Sequence, residues 1–295
     1  MPIQEACLVG LSTASEVDSF LSQYAPSKNS LEHGPWYWVQ LPQPGAANAK
    51  SSKPAEDRVG AEDSFVEEGQ KLEQHLRERC EWIKENAPVR GKKKEGIKSQ
   101  KELREQEYEV FNKGVEKLAK KHNVFSGKWL FRPGGDVVDA WWSKIVKAVA
   151  LEDGPLAKAG VLTARVSTTA GEGDQHVICV YCRDSWDDDN VGEVFKTLVS
   201  ELSLVSMSYK CDANTILGID SKHSSKIPSS LYTKKTFADD KEIEKLLEKN
   251  RAPKKEAPKK KTLEEEVASG KADGFETDSG SESEEERPRK KAKAK

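Results

Sequence analysis

The sequence predicts an α+β domain: a curved, mainly antiparallel sheet with helices packed on its convex face. Three observations lead there. Short segments alternate apolar and polar residues with a period of two, longer segments carry apolar stripes at helical spacing, and the two kinds follow one another in an order that suits an antiparallel sheet backed by helices. Of the 295 residues, 36% are hydrophobic and 33% charged, which fits one core with large solvated segments better than two cores. The expected organisation is a first helix and strand over 1–41, a flexible insertion over 42–63, the remainder of the domain over 64–237 and a charged, disordered tail over 238–295.

Thr13 and Glu16 stand at capping-box spacing ahead of Val17, Phe20 and Leu21, so a short helix is expected up to Tyr24, with Pro26 ending it. The aromatic, alternating run Trp36 to Leu41 reads as a strand. The following PQPGAANAKSSKPAEDRVGAED has linker composition. Leu72, Leu76, Trp82 and Ile83 mark one side of a helix from about 64 to 86, stopped by Pro88. A basic loop, VRGKKKEGIKSQK, leads to a second helix over about 102–121 that carries Leu103, Val110, Phe111, Val115 and Leu118.

A strand over 128–131 closes on the turn RPGGD. Val138, Trp141, Trp142, Ile145, Val146 and Val149 then recur at helical spacing, which places a helix over 137–150 on the sheet. Strands over 161–168 and 176–182 flank the hairpin loop STTAGEGDQ. Asp189 or Asn190 is expected to cap a helix with a stripe from Val191 to Leu202. Val205, Met207, Tyr209 and Cys211 alternate with polar residues, giving one more strand, and a last strand is expected over 231–236. Beyond 238, KEIEKLLEKN suits a short helix, but the charge blocks that follow cannot bury a core.

Composition narrows the function. Lysine plus arginine (48) nearly cancels aspartate plus glutamate (50), so any preference for nucleic acid must be local. No segment approaches the ~20 apolar residues that span a bilayer, and the first residues lack the pattern of a signal peptide. A monomer in the cytoplasm or nucleus, with no membrane partner, is expected. Five scattered cysteines suit free thiols in a reducing compartment. Cys179 and Cys182 have metal-ligand spacing, yet on a strand they point to opposite faces, so no metal is expected there. GEGD at 171–174 reads as a turn, and Asp187 to Asp189 as helix capping. No histidine is tied to a nucleophile, so the sequence asks for neither catalysis nor a cofactor.

GKWLF at 127–131, WWSKIV at 141–146, TARV at 163–166, VGEVFKTL at 191–198 and SYKCDANT at 208–215 occur in an order that resembles the cap-binding initiation factor 4E superfamily. The stretch 207–235 looks closer to the basophilic-leukaemia-expressed branch of that superfamily, a family of unassigned function. The resemblance implies a 4E-like fold and a ligand held by stacked aromatics, a carboxylate and basic phosphate contacts. It maps the family arginine onto Arg165. It also implies a lysine near Gln175 or His176, and a Trp-Glu pair just before GKW; neither is present, which counts against strict cap recognition.

The candidate residues for RNA or nucleotide binding are Arg165, Trp36, Trp38, Lys210 and Lys222. Trp36 and Trp38 share a strand face and read either as core or as groove lining. Arg165 reads either as an anion contact or as a solvated surface arginine, while Trp129, Trp141 and Trp142 read as core and Trp186 as a loop plug. The expected function is a non-catalytic binding module for RNA or a nucleotide; the alternative is a protein-interaction scaffold whose ligand pocket has degenerated, with partners on the helical face or tail. In the tail, the serines at 279–283 suit acid-directed phosphorylation, and RPRKKAKAK resembles a nuclear-import signal.

Overall fold

The computed structural model describes residues 5–28, 30–41, 63–206, 208–220, 222–223, 227–248 and 250. The expected insertion over 42–63 and the tail beyond 250 therefore lie outside the described residues, apart from Asp63. The described residues all belong to one compact unit, Met1–Arg251.

Chain order is β1 (Cys7–Val9), α1 (Ala14–Gln23), β2 (Trp36–Gln40), α2 (Asp63–Asn86), α3 (Gln100–Lys121), β3 (Gly127–Phe131) and α4 (Val138–Ala150). There follow α5 (Pro155–Lys158), β4 (Thr163–Ser167), β5 (Ile178–Cys182), α6 (Asp188–Ser200), β6 (Ser208–Cys211), α7 (Asp212–Ile216), β7 (Tyr232–Thr233), α8 (Lys234–Phe237) and α9 (Asp240–Glu248). The seven strands form one sheet in the order β1-β2-β4-β5-β3-β6-β7. Only the β1–β2 pairing is parallel, so the sheet is mixed.

Local chemistry sets the element ends. Thr13 accepts from the Glu16 amide and donates its own amide to the Glu16 carboxylate at 2.7 Å, which fixes the start of α1. Ser99 and Glu102 form the same reciprocal pair at α3, which is why that helix begins at Gln100 rather than 102. The cap of α6 is Asp187, whose carboxylate accepts from the Asn190 amide at 3.0 Å, not Asp189 or Asn190. The last strand is shorter than its alternation suggested: Thr233 and Thr236 cap one another, and the chain turns into α8 after two paired residues.

One face of the sheet carries the main core. Tyr37, Val39, Trp129, Phe131, Val166 and Val180 face α1, α4, α6 and α9, whose Phe20, Trp142, Phe195 and Ile243 are buried against them. Trp129 sits 4.9 Å from the Phe195 ring and donates its indole N–H to the Val191 carbonyl at 3.2 Å. Helix α9 belongs to this core through Ile243, so the domain runs past residue 238, where charge alone placed its end.

Helices α2 and α3 form a pair with a second core of their own. Phe65, Leu76, Phe111, Val115 and Leu118 pack with Cys211, Ala213 and Ile219 around α7, and Trp186 is half-buried against this group. Two residues assigned to its stripe by spacing point away: Trp82 is 49% and Val110 60% exposed. Each lies next in sequence to a fully packed neighbour, Ile83 and Phe111, about 100° round the helix.

Candidate ligand face of the sheet

Strand alternation assigns the second face. On β2, Tyr37 and Val39 enter the main core, so Trp36, Trp38 and Gln40 project from the other side. Register then aligns Trp38 with Arg165 on β4, Arg165 with Cys179 on β5, and Cys179 with Leu130 on β3. One row along, Tyr181 opposes Lys128, and Lys128 opposes Lys210 on β6.

Arg165 lies at the centre of an aromatic cage. Its guanidinium carbon is 4.0 Å from the Trp36 ring centroid, 5.1 Å from that of Trp38 and 5.6 Å from that of Tyr181, all within cation–π range. The Trp38 indole N–H donates to Glu5 Oε2 at 2.9 Å, which fixes the ring. Arg165 is 7% exposed and Trp38 2%, so the reading of Arg165 as a solvated surface residue is overturned.

Tyr181 carries a second cation, with Lys128 Nζ 5.6 Å from its ring. Lys128 is 4% exposed and is held by Asp212 Oδ1 at 2.9 Å and Thr215 Oγ1 at 3.1 Å. Ser126 Oγ donates to the other Asp212 oxygen at 2.5 Å, so the carboxylate is bonded on both sides. Cations and rings thus alternate across the strands: Trp36 and Trp38, Arg165, Tyr181, Lys128.

Of the five candidates, the structure brings together Trp36, Trp38 and Arg165. Lys210 is half-buried on the same face, across from Lys128. Lys222 is exposed in a different setting, since the neighbouring His223 ring lies 3.5 Å from Glu73 of α2; no contact among the described residues joins Lys222 to the Arg165 cage. Sequence reasoning missed Lys128, Tyr181, Glu5 and Asp212. Alternation of Lys128 against Trp129 and of Tyr181 against Val180 would have placed the first two, but the pairing with Asp212 spans 84 positions and leaves no local trace.

Of the two positions near which the resemblance implies a lysine, Gln175 is exposed and His176 is fully buried, with Nδ1 3.0 Å from the Ser167 carbonyl oxygen. The cysteine pair is split as strand geometry requires: Cys179 packs with Trp38 and Tyr181, Cys182 in the opposite core. Among the described residues, no three histidine, cysteine or acidic side chains cluster in a way that holds a metal.

Fold and face together define an α+β protein with a mixed seven-stranded sheet whose side opposite the main core concentrates caged cations and aromatic rings. Residues 9–218 match the family model described as basophilic leukemia-expressed protein Bles03, and the chain belongs to that family. The match runs from the end of β1 through α7 and so includes every residue of the cage except Glu5.

Proposed function

We propose that the domain is a non-catalytic binding module of the initiation factor 4E type, with a curved sheet, that takes RNA or a nucleotide on the Trp36–Arg165 face without strict cap recognition. The observation that carries this reading is the stacking of Arg165 on Trp36 at 4.0 Å. A guanidinium donates hydrogen bonds only in its own plane, so rings against its faces orient the N–H fork, the part that recognises a phosphate. An indole beside it offers a base a stacking surface. Lys128, compensated by Asp212, is the weaker partner for an anion. Strict cap recognition is disfavoured because residues 115–121 belong to α3 and the segment 115–126 holds no tryptophan, and because neither Gln175 nor His176 is the phosphate lysine that the resemblance implies there.

The test is a tryptophan-fluorescence titration with capped nucleotide, uncapped nucleotide and short single-stranded RNA. Saturable quenching is expected, with Arg165→Ala binding about 10- to 100-fold more weakly, the loss of one charge-assisted contact. Arg165→Lys is expected not to restore affinity, because the fork and the stacking are lost together. Equal affinity of wild type and Arg165→Ala would remove the reading.

One observation favours the alternative of a protein-interaction scaffold: Arg165, Trp38 and Tyr181 are 7%, 2% and 5% exposed, as in a closed pocket. That reading predicts no response to any of the three ligands.

A further inference from the structure

The tip of the α2–α3 pair carries chemistry that the sheet face does not use. Residues 88–101, PVRGKKKEGIKSQK, hold six basic residues and one carboxylate, in a chain of net charge −2. Charge runs of this kind ordinarily stay unstructured. Here the run is built into a defined loop. The Gln100 amide donates to the Pro88 carbonyl at 2.9 Å, and its side chain donates to the carbonyls of Lys84 and Ala87 at 3.1 and 3.0 Å, closing the end of α2 onto the start of α3. Lys92 and Ile97 exchange both backbone hydrogen bonds, at 2.8 and 3.2 Å. At Gly91 a side chain would meet the Ile97 carbonyl oxygen at 2.8 Å and the Ser99 amide at 2.9 Å, so only glycine lets the two limbs approach.

This scaffold displays two kinds of group together. Arg90, Lys94 and Lys98 are exposed and have no carboxylate partner among the described residues, while Lys92 and Lys101 pair with Glu95 and Glu105 across open surface. Among these cations stand Val89, 77% exposed, and Ile97, 40% exposed. Trp82, one turn before the end of α2, is 49% exposed with the Arg79 guanidinium carbon 5.0 Å from its ring centroid. A nucleic-acid backbone or an acidic peptide without apolar side chains would use the cations and leave the aliphatic groups in water. An anionic bilayer surface uses both: basic groups reach the headgroup phosphates, aliphatic groups enter the interfacial layer, and tryptophan favours the same depth.

We propose that this tip is a peripheral attachment site for membranes rich in anionic phospholipid. Lying on a bilayer requires no spanning segment, and among the described residues no helix is long and apolar enough to cross one. The expectation of no membrane partner rested on the lack of a spanning segment and of a signal-peptide pattern and on the balanced charge of the whole chain, none of which bears on a local basic surface. This site is separate from the sheet face and stands whether or not that face binds RNA.

The experiment is co-sedimentation of the full chain with phosphatidylcholine vesicles, with and without phosphatidylserine at about one lipid in three. Wild type is expected to sediment only with the anionic vesicles. Arg90→Glu/Lys94→Glu/Lys98→Glu is expected to bind about tenfold more weakly or worse, and Val89→Ser/Ile97→Ser several-fold more weakly, both with unchanged thermal unfolding. Three results would overturn the proposal: no sedimentation of wild type, wild-type binding in both variants, which would locate attachment in another basic segment, or loss confined to the charge variant, which would make the tip a plain polyanion site.

Discussion

Between pH 9 and pH 11 the folded domain is expected to lose on the order of 5 kcal/mol of stability, because two buried thiols keep protons that the unfolded chain releases. Cys182 lies in the main core, where burial above all, and the Asp187 charge after it, pushes its pKa up to about 12 against the help of a Tyr209 hydrogen bond. Burial likewise takes Cys211 to about 11, with Asp212 adding to the rise and the Asn214 amide, Lys128 and Lys210 opposing it. In the unfolded chain both thiols ionise near 9.0. Their contribution is complete below that pH and falls by about 1.4 kcal/mol per pH unit and per thiol above it, until each folded thiol ionises in turn. The Tyr209 hydroxyl, raised well above 10.0 by the same burial, acts in the same direction. Urea unfolding at successive pH values measures the slope, which should be shallower in Cys182→Ala and in Cys211→Ala. A level stability from pH 9 to pH 11 would contradict the closed packing around β5 and β6.

Asp212→Ala is expected to destabilise the domain by about 3–5 kcal/mol, since it strands the Lys128 ammonium in the interior. Both partners are nearly inaccessible, at 0% and 4% exposure, and the carboxylate also holds Ser126. The paired replacement Lys128→Met/Asp212→Leu removes both charges and is expected to cost much less, because desolvation of the ions then disappears along with their attraction. Denaturant midpoints at constant slope compare the two variants. If Asp212→Ala stays within about 0.5 kcal/mol of wild type, the pair is solvated and not an interior contact. Loss of the pair also reaches the candidate site, because Lys128 and Arg165 stand against the same Tyr181 ring.

Periodicity carried much of this fold into view. The Thr13 cap, the tryptophan helix over 138–150, and the strands around Arg165 and Cys179 follow from local pattern, because side-chain direction within an element is fixed by its period. What escaped depends on contacts between distant segments. Three-residue β1 is too short to show a pattern, and it exists because Cys7, Leu8 and Val9 align beside β2. Helix α9 is expected as a short helix within the charged tail, yet Ile243, with Leu246 and Leu247 packed beside it, seats it on the core. Trp82 and Val110 look like core by identity, and only the packing of α2 on α3 turns them outward. The cage was half legible: alternation put Trp36 and Trp38 on one face, and a family resemblance pointed to Arg165. The cross-strand register that sets the three together, and the Lys128–Asp212 pair beside them, had no local signature.

Ultraviolet crosslinking of the full chain to a short single-stranded RNA, with the modified peptides mapped by mass spectrometry, tests the ligand face most directly. Crosslinks on the β2 peptide at Trp36 or Trp38, suppressed by excess nucleotide and in Arg165→Ala, are the predicted result. Crosslinks confined to the 88–101 loop or to residues beyond 250, with β2 unmodified, would contradict it.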